Sequence, residues 1–467
     1  MAAKSKKVRT PVVGIRGLHL DLKGVPPTFR RLLKLLDLAA AAKFNALLVE
    51  WEDMFPWSLH EGLRCETHYT RRQVESFRQA AAERGLEIIP LVQCLGHMET
   101  PLSVPEFAHL RELPHRSDGL NPLAPGAREL VEAMVEDVLE LLPDVRYFHL
   151  GGDEARTLGR NPETARYVKK HGKGALYRQH IEPILKKLNR RGVRPILWSD
   201  MMHAWPAGEI RKLAKKADFC PWGYSGHPDT FGYHSDSKYI KRFADLGVTL
   251  WGAAAYKGAT GHNEDLCDFD QQTRNAEGWA EVAKRYGLAG LFATAWSRFS
   301  TDRTQNEPID ACLDSLVNVG RSLYGGKSPG RDACLKVLDK AGELKRFERC
   351  RAALAELKSA REWAWLEVQA VREQIVVETA EPRRRESGMG TEFLVNLRRH
   401  VAGVEAAGAA ARKALKGSVK SVWVEGFLRD RSEPLREELA VLEARVRVLE
   451  PEAYKAGQGM LYWNPRH

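Results

Sequence analysis

The chain has 467 residues, 43% hydrophobic and 28% charged, the balance of a soluble globular protein long enough for one large domain and a smaller unit. Its net charge of +11 is spread among interleaved acids, the dense basic runs being KSKKVR near the N-terminus and Arg383-Arg384-Arg385; no aromatic-interleaved basic motif accompanies them, which argues against a nucleic-acid partner. Seven scattered cysteines without a CxxC pair argue against a disulfide framework or zinc site, and the absence of an apolar signal region or of any run near the roughly 18 apolar residues of a membrane span leads to an expectation of cytoplasmic residence with no membrane partner.

Residues 1–11 read as a flexible N-terminus. From there to about residue 326, short apolar runs alternate with longer amphipathic stretches. The runs are VVGIRGLHLDL (12–22), NALLVEWED (45–53), LEIIPLVQC (86–94), RYFHLGGDE (146–154) and RPILWSDMM (194–202), followed by DFCPWGY (218–224), VTLWGAAAY (248–256) and GLAGLFATAW (287–296). Continuous apolar runs suit parallel strands buried on both faces. The stretch after the first run opens on Pro26-Pro27, read as lying in a helix's first turn, and puts Phe29, Leu32, Leu33 and Leu36 on one face. TRRQVESFRQAAAERG is predicted to be capped by Thr70 and to stop at Gly85, and a later helix to stop at Gly192. Eight strand–helix units predict an α/β fold, a (β/α)₈ TIM barrel. The competing doubly wound sheet needs a glycine-rich phosphate loop after its first strand, and Gly14-Ile15-Arg16-Gly17 is not one.

Beyond the barrel, residues 327–467 are rich in Ala, Leu, Glu, Lys and Arg and predict an all-α C-terminal bundle, packed on the barrel or mediating homo-oligomer formation. Leu439, Leu442, Val446 and Leu449 mark a packing face, and Trp363, Trp365, Trp423 and Trp463 are read as helix packing.

Barrel enzymes carry their chemistry where strands end. The predicted ends offer Arg16, His19 and Asp21, then Glu50, Glu52 and Asp53, then Gln93 and His97, then His149, Asp153 and Glu154. The later ends add Trp198 and Asp200, Trp222 and Tyr224, Trp251 and Tyr256, and Trp296 and Arg298. Carboxylates ringed by aromatic side chains suit a sugar, which presents apolar C–H faces and polar hydroxyls. Glycosidic cleavage usually uses two carboxyl groups on opposite sides of the bond. Adjacent Asp153 and Glu154 cannot easily do that. They can serve a substrate whose own 2-acetamido carbonyl attacks the anomeric carbon, with Glu154 as the acid, its pKa raised by burial and a neighbouring charge, and Asp153 orienting the acetamido N–H. The bland readings are a surface acidic pair for Asp153 and Glu154, an ion pair for Arg16 and rim packing for His97 and His149. No HxH or HxxxH spacing supports a metal site.

Phe148-His149-Leu150-Gly151-Gly152-Asp153-Glu154 resembles the signature of family 20 β-N-acetylhexosaminidases, and Arg16-Gly17-Leu18-His19-Leu20-Asp21 is similar to that family's first strand. HLDLKG, EDMFP, IPLVQ, GHME and AYKGATG resemble its hexosaminidase D branch. The resemblance implies exo-acting, retaining, substrate-assisted hydrolysis of N-acetylhexosamine-terminated glycans without metal or organic cofactor. It implies Glu154 as acid/base, Asp153 as acetamido partner, Arg16 as a donor to sugar hydroxyls, and Asp53 and His97 as a relay. Trp198, Trp222 and Trp296 would wall the sugar, and Tyr224 or Tyr256 would bond the acetamido carbonyl. The chain departs from the family on the seventh and eighth strands, where TLWGAAAYKG and Trp296-Ser297-Arg298 replace a Tyr-x-Asp and a Trp-x-Glu. The alternatives are another barrel glycosidase (chitinase-like or β-glucosaminidase) and a non-catalytic carbohydrate-binding or scaffold protein.

Overall fold

The computed structural model describes residues 10–229, 237–380 and 387–457. Residues 1–9, most of the expected flexible N-terminus, lie outside the described residues, as do Arg383-Arg384-Arg385 and Trp463.

Eight strands form one parallel series. They are β1 (Ile15–Asp21), β2 (Ala46–Glu50), β3 (Glu87–Leu91), β4 (Tyr147–His149), β5 (Arg194–Trp198), β6 (Asp218–Cys220), β7 (Trp251–Lys257) and β8 (Gly290–Ala295). Their order is β6-β5-β4-β3-β2-β1-β8-β7. Parallel bridges Phe219↔Leu250 and Trp222↔Ala253 join the two ends of that series and close the ring. This is the (β/α)₈ barrel expected from the alternating texture. Its interior is packed by Leu48, Ile89, Ile196, Trp251 and Phe292, while a second layer between strands and helices holds Leu18, Leu36, Phe77, Leu185 and Leu316. Burial on both faces explains the continuous apolar runs.

The helix boundaries follow local chemistry. Thr70 and Gln73 form a reciprocal capping box at the start of Arg71–Glu83, and Gly85 (φ 64°) ends that turn. The first helix differs from expectation. It begins at Phe29 under a Thr28 cap, so Pro26 and Pro27 precede it. Those prolines instead meet the C-terminal region: Pro26 O accepts the Lys420 N–H at 3.1 Å, and Pro27 bridges Val419.

After the barrel the described residues form five helices, Arg331–Lys340, Leu344–Thr379, Met389–Leu415, Ser421–Leu449 and Pro451–Gly457. Leu354, Val368, Leu397, Val404, Phe427, Leu435 and Leu442 form a core shared by the three long helices, with Val446 buried and Leu439 and Leu449 packed at its margin. Trp363 stacks on His400 of the neighbouring helix at 6.1 Å but is 55% exposed, and Trp365 is 40% exposed, because the buried face of their helix passes through Ala364 and Val368. Among the described residues, no helix is long and apolar enough to cross a membrane.

Candidate active site

At β4 the chain must turn abruptly to place Asp153 and Glu154 at the barrel mouth. Gly151 (φ 57°) and Gly152 (φ 79°) make that turn, and a Cβ on either would collide with Gln93 or with the Tyr177 hydroxyl. Glu154 itself holds φ 44°, and His97, arriving from the loop after β3, holds φ 53°. Non-glycine residues in the left-handed region are strained and persist where surrounding structure imposes them. Here the strain brings three side chains together: His97 Nε2 lies 3.4 Å from Asp153 Oδ2 and 3.5 Å from Glu154 Oε2.

These groups open into a cleft of about 760 Å³ at the C-terminal ends of the strands. Trp198, Trp222, Tyr224 and Trp296 wall it. Trp222 stacks on Tyr224 at 5.3 Å, and Trp296 lies 6.0 Å from Tyr224 and 6.3 Å from Trp198. The buried Nε1 atoms of Trp198 and Trp296, and Oδ1 of Asp153, have no hydrogen-bond partner within the protein.

The electrostatics differ from the sequence expectation for Glu154. Burial does push its pKa up, but the His97 hydrogen bond and charge, joined by Arg156, outweigh it and hold the carboxyl at about 2. For His97, burial disfavours the imidazolium; Asp153 and Glu154 override that and raise it well above its ordinary value. The free site therefore stores its proton on the imidazole between two carboxylates. Asp200, after β5, is the acid pushed up instead, to about 7, by burial and then by the charge of Asp153. Its Oδ2 accepts the Glu154 backbone N–H at 2.9 Å and its Oδ1 accepts Trp222 Nε1 at 3.4 Å, so it braces both the acid and a wall.

Seven of the twelve candidate site residues thus meet at the cleft: His97, Asp153, Glu154, Trp198, Trp222, Tyr224 and Trp296. Five do not. Arg16 stands at the N-terminal end of β1, where its guanidinium donates to the carbonyls of Val13 (2.7 Å), Gly14 (3.0 Å) and Lys43 (2.8 Å), at the opposite end of the barrel. Trp251 begins β7, stacks on Phe292 at 5.1 Å and donates to Asp218, filling the barrel's lower interior. His149 is wholly buried beneath Trp198 and is kept neutral, its pKa lowered to about 3 by burial. Tyr256 points to the outer layer and donates to His19 O at 3.3 Å. Asp53, in the turn after β2, lies beside the cleft without lining it; burial, opposed by Arg298, lifts it to about 6.

Sequence reasoning passed over Lys23. It is buried against Asp21 and Glu50, 2.9 Å from each, with its ammonium 5.0 Å from the Trp296 ring. Its signal was a lysine directly after an apolar strand, where a surface position is not available. Glu99, which opens the short helix Glu99–Ser103, also lines the cleft, as do Arg116, Asp118, Arg156, His262, Asp302 and Arg303 from loops whose polarity resembles that of any exposed loop. Among the described residues no group of three or more His, Cys, Asp or Glu is disposed to hold a metal ion.

Residues 14–308 match the model of the glycosyl hydrolase family 20 catalytic domain. The chain belongs to glycosyl hydrolase family 20. It is 33% identical to hexosaminidase D of Bos taurus over 323 residues, covering 67% of this chain and 92% of that relative. Against hexosaminidase D of Homo sapiens it is 32% identical over 326 residues, 67% of this chain and 66% of the relative. Among solved structures, the Flavobacterium johnsoniae chitobiase shares the fold with a TM-score of 0.57 at 15% identity, over 96% of this chain and 75% of that one. A Bacteroides fragilis β-N-acetylhexosaminidase does so with a TM-score of 0.52 at 15% identity, over 72% of each chain. As a family 20 member the protein is a glycoside hydrolase, and the matched span includes the strained β4 turn that carries Asp153 and Glu154.

Proposed function

We propose that the chain is an exo-acting, retaining β-N-acetylhexosaminidase that hydrolyses terminal N-acetylhexosamine residues with the help of the substrate's own acetamido group. The observation that carries this reading is the Asp153–His97–Glu154 cluster at the foot of an aromatic-walled cleft.

In the proposed reaction the sugar stacks against Trp296 and Trp198, and the 2-acetamido group lies towards Asp153, Tyr224 and Trp222. Asp153 accepts the acetamido N–H, which fixes the carbonyl oxygen below the anomeric carbon and offsets the positive charge of the forming oxazolinium ring. The glycosidic bond breaks as Glu154 gives a proton to the leaving oxygen. That proton comes from the imidazolium of His97. The Arg156 side chain, 69% exposed, leaves Glu154 as the aglycone enters, removing one of the groups that keep the carboxyl ionised. Water then opens the oxazolinium, with Glu154 as base, and the β configuration is retained.

Seven free cysteines, six of them buried, support residence in a reducing compartment such as the cytoplasm. The test of the activity is a matched pair of aryl β-glycosides, one with a 2-acetamido group and one with a free 2-amino group. Hydrolysis of the first and not the second supports the reading. Equal rates would point to another barrel glycosidase, and no hydrolysis of either to a carbohydrate-binding protein.

A further inference from the structure

The helix Ser421–Leu449 carries Arg431, which is 1% exposed. Its guanidinium sits where the loops after β7 and β8 meet. Nε donates to the Asp265 carboxylate, Nη2 donates to Glu264 O at 2.8 Å, and Nη1 donates to Gln305 O at 3.1 Å. Arg361, from the helix Leu344–Thr379, takes the other Asp265 oxygen and donates to Asn263 O at 3.1 Å. A guanidinium fork is suited to holding several fixed acceptors at once, and a lysine is not.

Both loops reach the cleft within one or two residues of this clamp. His262 adjoins Asn263 and meets Phe299 edge-on at 4.3 Å, and both rings line the cleft. Asn306 adjoins Gln305; its Oδ1 accepts the Asn263 N–H at 3.0 Å, and its Nδ2 donates to Trp296 O at 3.0 Å. Asn263 is at φ 59°, a left-handed conformation that asparagine tolerates and that the Asn306 contact fixes here. The far side of the Gln305 backbone is fixed as well, its N–H donating to Asp430 at 3.2 Å.

We propose that Arg431 is a positioning residue for the cleft: the C-terminal helices, through this guanidinium, fix the β7 and β8 loops and with them the His262–Phe299–Trp296 wall against which substrate stacks. The assignment rests on the reading of the cleft as a sugar site. It gives the helical region a part in substrate binding, although none of its described residues lines the cleft.

The experiment compares wild type with Arg431→Met and with Arg361→Met, the latter a milder lesion at a partly accessible side chain that keeps the test open if the first variant does not fold. Two quantities are read: KM for an aryl β-N-acetylhexosaminide, and hydrogen–deuterium exchange of segments 259–266 and 298–306. KM should rise about tenfold in Arg431→Met, because a wall displaced by a fraction of an ångström no longer seats the sugar. A merely structural role would lower the amount of active enzyme and leave KM unchanged. Exchange in both segments should rise while segment 151–156 stays as in wild type. Unchanged KM and unchanged exchange in the folded variants would overturn the proposal. If wild type hydrolyses no glycoside, the hexosaminidase reading falls, and the exchange arm still decides whether Arg431 holds the two loops.

Discussion

His97 Nε2 lies 3.5 Å from Glu154 Oε2, and both residues hold left-handed backbone to make that contact. The pair shares a proton that sits on the imidazole, since Glu154 is held at about 2 and His97 is raised well above its ordinary value. Activity that needs this proton is present below the His97 pKa and is lost as pH rises through it. Replacing His97 with Gln removes the larger of the two cationic influences that keep Glu154 ionised; Glu154, half-buried, then rises from about 2 and becomes the sole proton donor. The alkaline limb of kcat/KM should therefore move down by about one pH unit or more. An alkaline limb that stays where it was would place the proton elsewhere.

Glu154→Gln keeps the size and the hydrogen-bonding reach of the side chain but has no proton to give. Loss of a general acid costs about 10²- to 10⁴-fold. The loss should be large for alkyl or sugar leaving groups and small for nitrophenolates, which depart without protonation. Rates for a graded series of aryl glycosides check this; equal loss across the series would remove Glu154 from the proton transfer.

Asp153→Asn should lower kcat for every acetamido substrate by about 10²-fold, because a neutral amide neither accepts the acetamido N–H as strongly nor offsets the oxazolinium charge. The same change takes a carboxylate from His97, so its pKa should fall, which an imidazole NMR titration would show. Full activity with an unshifted His97 would count against both roles.

What was legible in the sequence followed physical periodicity. Parallel strands buried on both faces leave unbroken apolar runs, so the eight-fold count survived translation into structure, as did the Thr70 cap. The site was harder to read, because an apolar run does not show where within it the strand begins and ends, and so which of its side chains reach the mouth. Arg16 and Trp251 stand at the entry of β1 and β7, five and six residues from the strand's other end, and so belong to the barrel's floor. The pKa of Glu154 was illegible for a different reason: it depends on Arg156 and on a histidine 57 positions away, brought in by a strained loop.

Arg16 supplies its own test. Arg16→Met removes donors to three carbonyls at the barrel floor and should cost about 1–3 kcal/mol of stability. KM for an aryl N-acetylhexosaminide should not change, because the cleft is at the other end. A raised KM at temperatures where the variant is fully folded would return Arg16 to the substrate.

Glu52 ties the site's electrostatics to the stability of the fold. Burial and then the charge of Glu50 push its pKa up to about 8, with Lys23 and the Thr100 hydroxyl only partly opposing them. The sign follows from linkage: an acid whose folded pKa exceeds its unfolded value stabilises the native state while it is neutral, and that stability is lost as pH climbs through the folded value. Glu52→Gln is neutral at every pH and should accept the Thr100 hydroxyl as the native acid does. Wild type should therefore lose up to about 5 kcal/mol relative to the variant between about pH 5 and about pH 9. Urea unfolding of both proteins at each pH measures the difference. If the gap between them does not change with pH, Glu52 is already ionised in the folded protein, and the acidic floor beside the cleft carries one more negative charge than described.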